Sequence, residues 1–272
     1  MSNIVKIALV QFESFINEPA KNAKKACAQV GEAAQNGAKI ICFPELFSTG
    51  YQLDLIGPYL PQTAETLEGN TITSLRRAAK ENGVYVIAPI ALEREMKGVP
   101  YNTAVVIDDQ GEIMGTYDKH HPCFTEGCYF RAGTEFPIFE TKYGKIGIII
   151  CYDMGFCEPA RILALKGAEI IFCPSAWRVQ DEDIWDLNIP QRALENQLFL
   201  AAVNRYGHEG ELYMFGGSKV ADARGRIIAK STKAAEEIIY AECDLDTSII
   251  ERQNLGYLRN RRPGNYREII EL

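Results

Sequence analysis

The chain has 272 residues, 47% of them hydrophobic, and a formal net charge of −7. That length and apolar content suffice to bury a sizeable core, while the negative balance excludes a nucleic-acid partner, which would need a clustered basic surface. Its apolar runs fall short of the roughly 20 residues that a membrane-spanning helix needs, and no Pro/Gly/Ser-rich stretch or charge block marks a linker. One domain over 1–272, with no membrane partner, is therefore expected. The short basic run Arg259-Asn260-Arg261-Arg262 fits a solvated or interface face better than a phosphate site.

In chain order, 4–12 reads as a strand. The helix over 19–36 follows, with Ala23, Cys27, Val30 and Ala34 at helical spacing and Gly37 ending it. Next come a strand at 39–43, a helix over 72–81, and strands at 84–90, 103–107 and 112–117. A strand at 146–151, a helix over 158–166 and a strand at 169–173 continue the alternation. The helix over 181–197 contains Pro190, which is expected to kink or divide it. A strand at 199–204 precedes a late pair, 217–222 with 227–230, joined by a hairpin turn at 221–226. Buried strands interleaved with amphipathic helices imply a layered α/β fold.

Three strand ends carry chemistry. The apolar run Lys145 to Ile150 stops at Cys151, where a side chain points into the crevice above the sheet and the amides of the next turn can face a developing negative charge. A strand-end cysteine is otherwise a small core residue, and a reactive thiol needs electropositive surroundings that the rest of the chain must supply. The run 38–43 ends in Pro44-Glu45-Leu46, leaving a carboxylate at such a crevice, and the run 112–117 ends in Asp118-Lys119-His120-His121, leaving an ammonium. Either alone would pass for a solvated surface residue. Together they make a workable acyl-transfer site: Glu45 takes the thiol proton and returns it to the leaving nitrogen, Lys119 holds the carboxylate and the oxyanion, and Cys151 carries the acyl group.

Phe43-Pro44-Glu45-Leu46, Tyr117-Asp118-Lys119-His120-His121 and Ile150 to Glu158 resemble, in order and separation, the three signature segments of the nitrilase (carbon–nitrogen hydrolase) superfamily. The likeness runs from Ile7-Ala8-Leu9-Val10-Gln11 through Arg192 to Asn196 and Ala202-Val203-Asn204 to Arg261-Arg262-Pro263. One departure is Cys157, where the family commonly has proline, so the start of the following helix is expected to differ slightly. The resemblance implies a four-layer αββα sandwich, paired through helices as a homodimer or larger assembly. It implies Cys151 as nucleophile, Glu45 as general base and then acid, and Lys119 with the Tyr152 backbone amide as oxyanion stabiliser, with no cofactor. Glu126 matches a second glutamate that orients the lysine or the substrate, and Tyr51 and Trp177 match pocket-lining positions. As a substrate-binding set we take Tyr51, Tyr152 and Trp177.

Nitrilases proper usually carry tryptophan and then glutamate after the nucleophile; here Tyr152-Asp153 resembles the amidase and carbamoylase branches. A small linear amide is thus the first expected substrate, an N-carbamoyl amine or amino acid the second, and a nitrile the third. A substrate carboxylate would want a cation, with Arg178, Arg131 and Arg205 as candidates. The mechanistic rival is a Cys/His pair using His120, His121 or His208, and the rival from another class is a noncatalytic binding protein on the same fold.

Eight cysteines lie in apolar runs such as Ile41-Cys42-Phe43 and lack the dense framework of small secreted proteins, and the N-terminus has no signal-peptide pattern. A reducing cytosol is the expected location. His120, His121, Cys123 and Cys128 lie close in sequence without the spacing of a zinc site, so no metal is expected.

Overall fold

A computed structural model of the chain describes residues 3–271. The strands in chain order are β1 (Ile4–Gln11), β2 (Ile40–Cys42), β3 (Tyr85–Leu92), β4 (Tyr101–Ile107) and β5 (Ile113–Asp118). They continue with β6 (Phe139–Thr141), β7 (Gly144–Ile148), β8 (Ile170–Ser175), β9 (Phe199–Asn204), β10 (Tyr206–Glu209) and β11 (Leu212–Phe215). The last are β12 (Lys219–Ala221), β13 (Ile227–Lys230) and β14 (Glu237–Asp244). Two six-stranded sheets result, in the orders β14-β1-β2-β3-β4-β5 and β13-β12-β9-β8-β7-β6, with β10 and β11 as a separate hairpin.

The layering follows from side-chain alternation. Along β1, Val5, Ile7 and Leu9 join the core cluster that also holds Ile146, Ile148 and Phe172 of the second sheet. The intervening Ala8 and Val10 join a different cluster with Ala26, Val30, Ile72 and Leu75. Because successive strand residues face opposite sides, the first sheet is buried on both faces, by the other sheet and by helices Pro19–Gln35 and Asn70–Asn82. Helices Cys157–Leu165 and Glu182–Asn196 cover the second sheet through Leu163, Ala164, Trp185 and Ile189. This is the expected four-layer αββα sandwich.

Strand direction brings the functional ends together. β1, β2 and β3 pair in parallel, as do β7, β8 and β9. β3 and β4 are antiparallel, and so are β4 and β5, so β5 runs with β2 and leaves Lys119 at the same edge as Glu45.

Several expectations need correction. The helix Glu182–Asn196 is not divided at Pro190. Its buried residues Trp185, Ile189, Arg192 and Ala193 lie on both sides of the proline, and their packing outweighs the roughly 3 kcal/mol that an internal proline costs. The strand expected to reach Cys151 ends at Ile148, and Cys151 opens a 3-10 turn, Cys151–Gly155. Cys157 occupies the first position of the next helix, a place that also suits proline. Strand β14 was not expected, although its inward Ile239, Ala241 and Cys243 alternate with more exposed neighbours along the antiparallel pairing with β1. Strand β6, the β10–β11 hairpin and helix Asp246–Leu255 were also missed. The turn at 221–226 is present. A Cβ on Gly225, whose φ is +78, would lie 2.8 Å from the Pro190 carbonyl oxygen, so the turn packs directly on the helix.

Among the described residues all eight cysteines are free and no helix is long and apolar enough to cross a membrane. Cys173 and Cys243 are buried in the core between the layers, and burial pushes both thiols from the ordinary 9.0 up to about 12. The unfolded chain releases these protons above pH 9.0 while the folded chain retains them. Their contribution is therefore intact below 9.0 and is lost as pH rises toward 12. Urea midpoints should hold steady from neutral pH to 9.0 and fall above it, with a shallower fall in Cys243→Ala.

Candidate active site

Glu45 leaves β2 through Phe43-Pro44 and is fully buried. Its Oε1 accepts hydrogen bonds from Lys119 Nζ at 2.8 Å and Asn102 Nδ2 at 2.7 Å, and its Oε2 accepts from the Ala176 amide at 2.9 Å. The turn is fixed from behind by Arg205, which is itself buried and donates from Nη1 to the carbonyls of Glu45 and Leu46 at 3.1 and 3.0 Å. Arg205 also pairs with Glu209, whose Oε2 accepts from the amides of Tyr51 and Gln52 at 2.7 Å each. One buried ion pair thus organises the whole loop after β2.

Lys119 follows β5 directly and is 1% exposed. Its ammonium lies between two carboxylates, 2.8 Å from Glu45 Oε1 and 2.8 Å from Glu126 Oε1. Glu126 sits in the 3-10 turn Phe124–Cys128, and its Oε1 also accepts from Tyr51 Oη at 2.5 Å. Five non-glycine residues have positive φ among the described residues; three of them, Leu46 (+48°), Phe124 (+48°) and Cys151 (+49°), flank this cluster. Such backbone costs free energy and persists where surrounding contacts enforce it, commonly at functional sites. For Cys151 the enforcing contacts come from buried Asp153, which accepts from the Ile150 amide at 3.0 Å, Tyr117 Oη at 2.7 Å and the His121 amide at 2.9 Å.

The electrostatics differ from the expected electropositive surroundings. Burial raises the Cys151 thiol well above its ordinary 9.0, and the charge of Glu45 adds to this. Lys119 and a hydrogen bond from the Ala176 amide oppose the rise without cancelling it. Burial, reinforced by the charge of Glu45, therefore favours Cys151 as a neutral thiol. Burial by itself would lower Lys119, yet Glu45 and Glu126 hold its ammonium well above the usual lysine value. Burial raises Glu126 above an ordinary glutamate despite the opposing charge of Lys119.

A cavity of about 400 Å³ opens over Cys151 and is lined in part by Tyr51, Tyr152, Ala176, Trp177 and Arg178. All three expected substrate-binding residues therefore face it. Trp177 also belongs to the core, with its ring 5.5 Å from that of Trp185. Tyr152 is 40% exposed; as the second residue of its turn, its amide has no acceptor within that turn. Of the three arginines, only Arg178 lines the cavity; Arg205 is committed to the Glu45 loop, and Arg131 is exposed elsewhere.

None of the three histidines lines the cavity. The His120 ring lies 3.9 Å from Phe136 and its Nδ1 is 3.1 Å from the Asp118 carbonyl. His121 Nδ1 lies 2.7 Å from Asp153, and His208 stacks on Tyr213. Among the described residues, no three His, Cys, Asp or Glu side chains are grouped to hold a metal ion. Sequence reasoning missed Asn102 and the Ala176 amide as partners of Glu45, and Asp153 as the anchor of the Cys151 turn. Only Asp153 left a trace in the sequence, as part of the Tyr152-Asp153 pair.

A profile of the family described as carbon-nitrogen hydrolase matches residues 6–249. A protein of Pyrococcus abyssi named nitrilase is 36% identical over 244 residues, covering 89% of this chain and 90% of its own length. An N-carbamoylputrescine amidase of Solanum lycopersicum is 33% identical over 292 residues, covering 100% of this chain and 96% of its own. Among solved structures, a carbon-nitrogen hydrolase from Helicobacter pylori G27 aligns with a TM-score of 0.89 at 28% identity, covering 100% of this chain and 99% of that one.

Removing the ammonium leaves two buried carboxylates face to face. Lys119→Ala is expected to lose about 3–5 kcal/mol of stability in urea unfolding. Adding Glu126→Gln should recover part of that loss. An unchanged midpoint in Lys119→Ala would contradict the charge arrangement.

Proposed function

The chain belongs to the carbon–nitrogen hydrolase family, and on that premise we propose that it hydrolyses a small linear amide to a carboxylic acid and ammonia through a thioester on Cys151. The observation that carries this reading is the buried ammonium of Lys119, held between Glu45 and Glu126 with all three charges acting on a neutral thiol at the cavity.

An amide is a poor electrophile with a poor leaving group, so the site must stabilise an oxyanion and protonate nitrogen. Because Cys151 rests protonated, Glu45 takes its proton as sulfur attacks the carbonyl carbon. Lys119 and the Tyr152 amide stabilise the resulting oxyanion. Glu45 then gives the proton to the nitrogen, the C–N bond breaks and ammonia leaves a thioester. Water, deprotonated by Glu45, attacks that thioester, releasing the acid and restoring the thiol.

Hydrolysis of an N-carbamoyl compound is the second reading, supported by the 33% identity to the Solanum lycopersicum enzyme over the full chain. It uses the same steps but releases carbon dioxide as well as ammonia, so the products separate the two. A homodimer is part of the proposal: Leu165 and Leu187 are 50% and 70% exposed on the helices covering the second sheet. Sedimentation of the purified chain as a monomer would refute that part.

A panel of primary amides, ω-amides, carbamoyl compounds and nitriles, read by ammonia and carbon dioxide release, identifies the substrate class. On the best substrate, Cys151→Ala should be inactive and Glu45→Gln should lose about 10²- to 10⁴-fold in kcat. His120→Ala, His121→Ala and His208→Ala should each remain active; one dead histidine variant would favour the Cys/His rival. Turnover of nothing in the panel, with a thiol no faster toward iodoacetamide than the other cysteines, would favour the noncatalytic binding protein.

A further inference from the structure

Arg178 is the one Lys or Arg among the described side chains that line the cavity over Cys151. Its Nε donates to Asp181 Oδ2 at 2.5 Å, and its guanidinium carbon lies 5.2 Å from the centre of the Phe124 ring. Among the described residues, neither terminal nitrogen of Arg178 donates to a protein acceptor, and the side chain is 42% exposed. The guanidinium is therefore oriented on one edge by a carboxylate and on one face by an aromatic ring, with its remaining donors uncommitted.

Phe124 strengthens the case. It is 79% exposed and has a φ of +48, so a large apolar side chain is held at the cavity rim on unfavourable backbone. Neither core packing nor backbone preference accounts for that position, whereas a ring that orients a guanidinium at the mouth of a binding cavity does.

We propose that Arg178 binds a carboxylate at the far end of the substrate, so that the enzyme prefers small amides bearing a carboxylate distal to the scissile carbonyl. This rests on the amide reading and names its substrate class. The planar fork of arginine matches a carboxylate with two parallel N–H···O bonds. The cluster beneath carries two carboxylates against one ammonium, so without Arg178 an anionic substrate would be repelled. Asp181 also lines the cavity and offers the opposite choice, an ammonium-bearing tail. Its Oδ2 is already taken by Arg178, which leaves it less free bonding capacity than the guanidinium.

The test compares three amides of equal length: the monoamide of a short dicarboxylic acid, the neutral alkyl amide and the ω-amino amide. In the parent enzyme, kcat/KM for the anionic amide should exceed that for the neutral one by about 10- to 100-fold. That ratio should collapse in Arg178→Gln and survive in part in Arg178→Lys, with thermal unfolding confirming that both variants fold. Calorimetric binding of the same amides to Cys151→Ala should show the same discrimination without turnover. A parent enzyme indifferent to the carboxylate, a ratio that persists in Arg178→Gln, or a preference for the ω-amino amide would overturn the proposal. If no amide is turned over, the hydrolase reading fails by itself, and binding to Cys151→Ala still decides the carboxylate site.

Discussion

An ammonium group with 1% exposure requires compensating charge, and in this protein two carboxylates supply it. An unpaired lysine at that depth would lose its proton or unfold its surroundings, because burial disfavours the charged form. Glu45 and Glu126 come from loops far apart in the chain, so the pairing obliges the ends of β2 and β5 to lie at one edge of one sheet. The supporting contacts serve the same end. Arg205 ties down the Glu45 turn, Asn102 at the start of β4 shares Glu45 Oε1, and the Ala176 amide after β8 brings the second sheet to Glu45 Oε2.

The same charges decide the state of the thiol. A cysteine activated by a positive neighbour alone would rest as thiolate, but here burial and two carboxylates outweigh one ammonium. On the proposed mechanism, sulfur becomes nucleophilic only as its proton leaves for Glu45, and one residue serves as both base and leaving-group acid. That arrangement suits a reaction in which a proton must be taken at the start and returned to nitrogen before the C–N bond breaks. Cys151 stands on a strained backbone position, enforced by the Asp153 contacts.

Much of this was legible in the sequence because strand ends are. Apolar runs that stop at Glu45, Lys119 and Cys151 announce both a buried strand and the point where its chain reaches the crevice, and local pattern suffices for each. Strand β14 was less legible because it lies at a sheet edge and pairs with β1, whose residues are more than 220 positions away, for example Glu242 with Lys6. The helix is not divided at Pro190, because its buried residues on both sides pack as one element. Asn102 escaped notice, and Arg205 was expected as a cation for a substrate carboxylate rather than as the anchor of the Glu45 turn, because both roles depend on partners brought close only by the fold. The expectation of a positive environment for Cys151 failed for a similar reason: sequence supplies the signs of the charges but not their depth.

The most direct test of the account is the ionisation of Cys151, read as the thiolate ultraviolet absorbance of the parent protein minus that of Cys151→Ala across pH. The expected result is no thiolate signal at neutral pH and a rise only well above the ordinary thiol value of 9.0. A thiolate already present at neutral pH would contradict the claim that burial, together with the charge of Glu45, holds the Cys151 thiol protonated.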